Sequence, residues 1–131
     1  MTTYGFIGAG NMAGAIVRGA IAAGTDPASI WLTSAHDSAA RLAEKTGARH
    51  EPDAEALAAA CDVVVLAVKP RVIPAVAARI FDAVAAARPL IVSIAAGIDL
   101  ARLESLLPEG ARVVRELNRS EERRVGKECR S

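Results

Sequence analysis

The stretch YGFIGAGNMAGAIVRGAI, residues 4–21, decides the fold expected of this chain, because it predicts a strand, a glycine-rich turn and a helix. Gly8, Gly10 and Ala13 match the pattern G-x-G-x-x-G/A. The first glycine makes the tight turn, the second admits a pyrophosphate to the backbone, and the third small residue lets helix and strand pack closely. A helix that begins near Asn11 offers unpaired N–H groups and a positive dipole end to an anion. The stretch therefore predicts a dinucleotide-binding site.

The composition is that of a single globular domain acting on small molecules. The chain has 131 residues, 52% of them hydrophobic, and a net charge of +1 with no basic block before residue 119, so nothing favours nucleic acid or an anionic membrane as a partner. No apolar run approaches the ~20 residues that span a bilayer, and the first residues lack a signal-peptide pattern, so we expect a cytoplasmic protein. Two cysteines, Cys61 and Cys129, indicate neither a disulfide framework nor a metal site.

Strand and helix patterns alternate along the whole chain. Strands are predicted at residues 4–7, 30–33, 48–50, 63–68, 90–94 and 112–115, with a helix in each interval. The run at 63–68 is continuously apolar and β-branched, as expected of a parallel strand that is buried on both faces. Six strands and five helices predict an α/β, doubly wound parallel sheet of the Rossmann type, in the order 3-2-1-4-5-6 with helices on both faces.

Caps and apolar spacing define the predicted helices. Capping residues are expected at Asp37 or Ser38, at Asp53 and at Asp99. Glycines that can end a helix follow at Gly24, Gly47 and Gly110. The helical spacing places Ile16 in the apolar stripe of the first helix and Phe81 in that of the fourth.

Ligands of such a sheet bind outside the carboxyl ends of its strands, so the residues that follow each strand are the candidate contacts. After the first strand these are Gly8, Ala9, Gly10, Asn11 and Met12. The second strand ends at residues 33–36 without the acidic residue that binds the ribose hydroxyls of NAD, which favours NADP(H) over NAD(H). Ser34 is a candidate donor to the 2′-phosphate and equally a candidate turn former or helix cap. No arginine follows it in the loop.

Small residues follow the fourth and fifth strands, where a flat ring could approach the backbone. The fourth strand leads into Ala67, Val68, Lys69 and Pro70, and the fifth into Ala95, Ala96 and Gly97. Lys69 is either a contact to phosphate, ribose or substrate or a solvated charge, and residues 95–97 are either ring contacts or an ordinary tight turn. No catalytic residue and no metal ligand set can be assigned, and His36 is interpreted as a loop residue.

Three segments together, GFIGAGNMA at 5–13, LAVKP at 66–70 and VSIAAG at 92–97, resemble the amino-terminal domain of pyrroline-5-carboxylate reductase. The resemblance extends from residue 4 to about residue 117. It implies NADPH-dependent reduction of 1-pyrroline-5-carboxylate to L-proline, the last step of proline biosynthesis. It also implies that the segments at 67–70 and 95–97 line the cofactor site. Hydride transfer to a protonated ring imine depends on orientation more than on a strong acid, so a missing catalytic triad is expected.

The family resemblance also implies a helical carboxyl-terminal domain that binds substrate and forms a homo-oligomer, and the sequence does not contain it. Residues 116–118 only partly follow the family's Met-Pro-Asn-Thr-Pro-like segment. Eight of the thirteen residues at 119–131 are charged, and the string resembles a translated sequencing adapter, with a genuine disordered extension as the alternative. We therefore expect an NADP-binding domain at 1–118, a non-native or disordered tail at 119–131, and little activity from this chain itself.

Two other functions fit the same residues. The chain could belong to another NADP-dependent reductase, such as a deazaflavin-dependent NADP oxidoreductase, in which the first glycine motif is shared. It could also be a standalone NADP-binding module, since it has no substrate domain. The sequence that follows residue 118 in the gene would distinguish these possibilities.

Overall fold

The computed structural model describes residues 2–94 and 98–115, which form a six-stranded parallel sheet in the order β3-β2-β1-β4-β5-β6. The strands are β1 (Tyr4–Ile7), β2 (Ile30–Thr33), β3 (Arg49–His50), β4 (Val63–Leu66), β5 (Leu90–Ser93) and β6 (Arg112–Arg115). The predicted fold class and strand order are confirmed. The predictions for residues 95–97 and for the tail at 119–131 lie outside the described residues.

Helices connect the strands, as the alternation predicted. They are α1 (Asn11–Ala22), α2 (Ser38–Thr46), α3 (Ala54–Ala60), α4 (Ile73–Ala87) and α5 (Leu100–Leu106), with short 3-10 turns at Pro27–Ser29 and Pro70–Val72. The Asp53 carboxylate accepts from the Glu55 amide at 3.1 Å, and that of Asp99 from the Arg102 amide at 2.7 Å, so both predicted caps are confirmed. Within the described ranges, none of these helices has the length and apolar character needed to cross a membrane.

Two hydrophobic clusters cover the two faces of the sheet. Successive residues of a strand point to opposite faces, so Phe6 of β1 joins one cluster and Ile7 joins the other. The first cluster contains buried residues of α1 and α2, such as Val17 and Leu42, and the second contains those of α3, α4 and α5, such as Leu103. Helices therefore pack on both faces of the sheet, as the sequence predicted.

The apolar stripes of α1 and α4 are narrower than the sequence predicted. Ile16 is 40% exposed and Phe81 is 41% exposed, whereas their neighbours Val17 and Ile80 are fully buried. In α1 the buried residues are Ala13, Gly14 and Val17, and Ala20 and Ile21 pack partly against the same cluster, which leaves Ile16 outside the covered strip. The buried residues of α4 are Ile73, Ala77, Ile80, Ala83 and Val84, and this strip leaves position 81 at its margin.

Candidate functional site

The turn after β1 depends on a glycine at position 8. Gly8 has a φ of +104°, and a Cβ atom built there would lie 2.5 Å from the carbonyl oxygen of Ala67. The Gly8 amide donates to the Thr33 carbonyl at 2.8 Å, and the Ala67 amide donates to the Ile7 carbonyl at 2.8 Å. The absence of a side chain therefore lets the loops after β1, β2 and β4 meet at the carboxyl edge of the sheet.

The start of α1 lies open beside this turn. Gly10 is the N-cap residue, and its backbone is extended with φ −78° and ψ −167°. Among the residues that the structure describes, no side chain caps the helix, no acidic residue occupies its first turn, and no atom lies within 4 Å of a Cβ atom built at Gly10. Asn11 and Met12 are exposed. This end of α1 is thus accessible to an anion, which its amide groups and dipole favour.

A cavity of about 190 Å³ extends from the glycine turn into the groove between α1 and α2. It is lined by Ala9, Gly10, Asn11, Gly14, Arg18, Ser38, Arg41, Leu42 and Lys45. Three of these side chains are cationic, and Arg41 and Lys45 are one helical turn apart on α2. The Arg18 guanidinium lies over Gly14, with Nη1 3.1 Å from the place where a Cβ atom would stand. The groove therefore offers a concentration of positive charge next to the predicted pyrophosphate position.

These cations were not predicted as site residues, because they lie in α1 and α2 and not in the loop after β2, where a phosphate contact was expected. Arg41 and Lys45 come one and two turns into α2, and their spacing of four residues was the available signal that they share a helix face. Arg18 comes from a different helix, and its approach to α2 depends on how the two helices pack. Arg41 also pairs with the Asp37 carboxylate at 2.7 Å, in an exposed contact.

Ser34 caps the start of α2. Its Oγ accepts from the Ala39 amide at 3.0 Å and from the Ser38 hydroxyl at 3.2 Å, and donates to the His36 carbonyl at 2.8 Å. Asp37 is the N-cap residue by position, but its side chain accepts no capping hydrogen bond. The prediction that the side chain of Asp37 or Ser38 caps α2 is therefore wrong. The cap function of Ser34 is observed, and its contact with a 2′-phosphate stays a prediction.

The loop after β4 forms the next part of the carboxyl edge. Val68 is half-buried, and its Cγ1 lies 3.1 Å from the Cβ position at Gly8, which brings the loop against the glycine turn. Lys69 and Pro70 are exposed. The Lys69 carbonyl accepts from the Val72 amide at 2.9 Å and starts the 3-10 turn. The edge brings together residues 8–12, Ser34 and residues 67–70, whereas Ala95, Ala96 and Gly97 fall outside the described residues.

Cys61 is at the wrong end of the sheet to serve this site. It lies directly before β4, at the amino edge, and is buried. Burial raises the pKa of its thiol to about 12, with a further rise from the Asp62 carboxylate that Arg49 opposes. The thiol is thus protonated near neutral pH and unsuited to nucleophilic chemistry. Across residues 2–94 and 98–115, no group of three or more His, Cys, Asp or Glu side chains is placed to hold a metal ion.

Comparison with known proteins gives one family and a consistent set of relatives. A family model described as NADP oxidoreductase, coenzyme F420-dependent, matches residues 3–97. Pyrroline-5-carboxylate reductase 3 of Macaca fascicularis is 40% identical over 114 residues, which are 86% of this chain and 41% of that protein. The pyrroline-5-carboxylate reductase of Methanosarcina acetivorans is 36% identical over 113 residues, 85% of this chain and 42% of that protein. The chain thus spans about two fifths of the length of these relatives.

Solved structures resemble the fold over nearly the same span. A pyrroline-5-carboxylate reductase from Coxiella burnetii superposes with a TM-score of 0.81 at 38% identity, covering 87% of this chain and 43% of that one. A Plasmodium falciparum pyrroline carboxylate reductase with NADP bound superposes with a TM-score of 0.76 at 20% identity, covering 96% of this chain and 53% of that one. At 20% identity the second likeness concerns the fold alone.

Proposed function

The chain belongs to the family of coenzyme F420-dependent NADP oxidoreductases, and from this premise we propose that it is the cofactor-binding domain of a pyrroline-5-carboxylate reductase. The proposed reaction transfers hydride from NADPH to the imine carbon of 1-pyrroline-5-carboxylate, whose protonated nitrogen becomes the amine of L-proline. The observation that carries the proposal is the glycine turn at Gly8, packed against Ala67, in a chain 40% identical to a reductase of that name.

The cofactor is proposed to lie along the carboxyl edge. The open amino end of α1, with Gly8, Ala9, Gly10, Asn11 and Met12, takes the pyrophosphate. The segments at 67–70 and 95–97 contact the nicotinamide end, as the family resemblance implies. The bound cofactor supplies the hydride, and the residues of this chain bind and orient it against the imine. This assignment needs no catalytic acid from the described residues.

NADP(H) is proposed as the preferred cofactor over NAD(H). The loop after β2 carries no carboxylate in its first three residues, and the cavity beside it is lined by Arg18, Arg41 and Lys45. Guanidinium and ammonium groups bind a phosphate monoester through charge-assisted hydrogen bonds that a ribose hydroxyl cannot match. We assign Arg41 and Lys45 to the 2′-phosphate, with Arg18 adding positive charge from α1.

The whole enzyme is proposed to be a cytoplasmic homo-oligomer that acts on a small molecule and not on nucleic acid. Residues 1–118 are its cofactor domain, residues 119–131 are not native to it, and a helical domain supplies the substrate site. The support is that the curated relatives extend well beyond the part that this chain matches.

The test is complementation with a full-length gene that contains this chain. We expect it to restore proline-free growth to a host that lacks pyrroline-5-carboxylate reductase. The variant Gly10→Val should fold, because the space around Gly10 is open, and should fail to complement, because the side chain blocks the pyrophosphate. Gly19→Val is the matched control, since Gly19 also has open space but lies within α1. No growth from the expressed, NADPH-binding wild-type protein would refute the proposal.

A second candidate is a deazaflavin-dependent NADP oxidoreductase, which the description of the family model favours directly. In that case the whole enzyme would exchange hydride between NADP(H) and coenzyme F420. Incubation of the full-length protein with reduced F420 and NADP⁺ distinguishes the two candidates, because only a deazaflavin-dependent oxidoreductase would form NADPH from this mixture. Proline formation without F420 turnover would exclude it.

A further inference from the structure

Gly14 lies in α1, is buried, and lines the groove between α1 and α2. A Cβ atom built at this position would lie 3.1 Å from Nη1 and 3.8 Å from Cζ of Arg18, and 3.9 Å from Cδ1 of Leu42. Gly14 is not among the glycines with a positive φ, so its backbone conformation does not require a glycine. The missing side chain instead leaves a notch, bounded by Gly14 and Leu42, in which the guanidinium of Arg18 lies.

The notch changes where the positive charge of Arg18 lies. Side chains of a helix lean toward its amino end and cover the residue one turn earlier, so residue 18 covers position 14. Four residues of a helix span about 6 Å along its axis. Because the guanidinium packs over Gly14, its charge lies nearer to the glycine turn than the Cα atom of Arg18 does. The charge is thus brought toward the end of α1 where the phosphates of a dinucleotide are expected.

The charge of Arg18 is also directed at the wall formed by α2. Leu42 of α2 approaches the notch, so the guanidinium lies on the side of α1 that faces α2. Among residues 2–94 and 98–115, no carboxylate forms an ion pair with Arg18, whereas Arg41 on the opposite wall pairs with Asp37 at 2.7 Å. Arg18 therefore offers the groove a cation whose charge no ion pair offsets.

We propose that Gly14 is a positioning residue for cofactor choice, which lets the guanidinium of Arg18 contact the 2′-phosphate of NADP(H) from the α1 side of the groove. The inference rests on the proposed NADP(H) site and adds to it an uncharged residue that controls specificity. A guanidinium forms charge-assisted hydrogen bonds with phosphate oxygens. NADH carries a hydroxyl in place of that phosphate, so the contact favours NADPH alone.

Fluorescence titration of the 131-residue chain with NADPH and with NADH tests the proposal. Arg18→Gln should raise the dissociation constant for NADPH about fivefold and leave that for NADH unchanged. Gly14→Ala should raise the constant for NADPH about threefold, because its Cβ atom displaces the guanidinium from the notch. Added to Arg18→Gln, Gly14→Ala should have no further effect, since the group that it displaces is gone. Gly19→Ala is the matched control, because Gly19 lies in the same helix with no described atom within 4 Å of its Cβ position.

The double-variant cycle separates a role through charge from a role in packing. The proposal is overturned if Gly14→Ala leaves NADPH binding unchanged, if it weakens both dinucleotides equally, or if its effect persists beside Arg18→Gln. Equal weakening of both dinucleotides by Arg18→Gln would also overturn it, because the guanidinium would then contact the pyrophosphate. Alanine is favoured over glycine within a helix, so Gly14→Ala should fold, and loss of its cooperative urea transition would assign Gly14 to packing instead.

The same titrations distinguish failure of this inference from failure of the proposed function. A folded wild-type chain that binds neither dinucleotide would refute the cofactor site and the inference together. A wild-type preference for NADPH that Gly14→Ala and Arg18→Gln do not alter would refute the inference alone. The measurement involves no turnover, so it is independent of the proposed reductase activity.

Discussion

At residue 8 the backbone conformation and the packing of two loops both require the absence of a side chain. A positive φ costs a non-glycine residue about 1–2 kcal/mol, and a Cβ atom would also press on the Ala67 carbonyl oxygen. Gly10, two residues later, has a negative φ and open space around it. The two glycines of one motif thus have different physical functions, one in folding and one in leaving room for a ligand.

This difference predicts opposite phenotypes for two alanine variants. Gly8→Ala should lower the free energy of unfolding by about 2 kcal/mol or more, because strain and steric conflict add. Gly10→Ala should leave stability unchanged within about 0.5 kcal/mol and weaken NADPH binding. Urea unfolding and a fluorescence titration with NADPH measure the two effects. A Gly8→Ala variant with the wild-type unfolding midpoint would contradict the assignment.

The two cationic side chains of α2, Arg41 and Lys45, give a second prediction. In the double variant Arg41→Gln, Lys45→Gln, the dissociation constant for NADPH should rise about tenfold or more, because two contacts to the 2′-phosphate are lost. The constant for NADH should change little, since NADH lacks that phosphate. Fluorescence titration of the 131-residue chain with each dinucleotide measures the ratio.

Arg49→Gln is the control for the loss of positive charge, because Arg49 stacks on Trp31, with its Cζ 4.1 Å from the ring centroid, and lies outside the groove. An equal loss of affinity for NADPH and NADH in the α2 variant would argue against a 2′-phosphate site there. Sequence alone could not suggest this test, because the groove exists only where α1 packs beside α2.

Among the elements, strands were easier to predict than helix faces. The continuous apolar run of β4 indicates burial on both faces whatever surrounds it, and Val64 and Val65 are buried in opposite clusters. The spacing of apolar residues in a helix predicts only which direction its buried face points. The width of the buried strip depends on how closely the helix packs against the sheet. Ile16 and Phe81 are exposed for that reason. The sequence predicted Asp37 or Ser38 as the cap of α2, whereas the capping oxygen belongs to Ser34, four residues before the helix, and this contact depends on the path of the loop.

The segment before β1 is tied to the start of β4 by a carboxylate. Asp62 Oδ2 accepts from the Thr3 amide at 2.9 Å and from the Thr3 hydroxyl at 3.2 Å, and the Asp62 amide donates to the Thr3 carbonyl at 3.0 Å. The backbone hydrogen bond from Thr3, followed by its hydroxyl, lowers the pKa of Asp62 below its ordinary value of 3.8. The charged carboxylate is therefore the form that the fold prefers.

This tie predicts a pH dependence of stability. The pKa of Asp62 is lower in the folded chain than in the unfolded one. The charged carboxylate therefore contributes its full stabilisation to the free energy of unfolding above about pH 3.8, and this stabilisation is lost as the pH falls from there through the folded pKa. Asp62→Asn should be less stable than wild type at pH 7, and the difference should shrink below pH 3.8. Urea unfolding at pH 7 and pH 3 measures it. A difference that is the same at both pH values would refute the role of the charge.

For the whole molecule, the strand order brings the predicted site residues to one edge. The order reverses between β1 and β4, so the chain leads from β1 to α1 on one face of the sheet and from β4 to α4 on the other face. Alternation of strands and helices was enough to predict this arrangement. The groove cations were not predictable in the same way, because the groove combines residues from α1 and α2, and their approach depends on how the two helices pack. The assignments of individual cofactor contacts stay predictions.

The last prediction concerns the 131-residue chain as a unit. It should bind NADPH, because the open end of α1 and the groove beside α2 are both formed by described residues. It should show no measurable conversion of 1-pyrroline-5-carboxylate to proline, because holding the imine against the nicotinamide needs a second wall, which the proposed helical domain supplies. NADPH titration and a proline assay on the same purified sample measure both. Turnover by this chain would show that it contains the complete site, and would refute the proposal that substrate binding depends on a further domain.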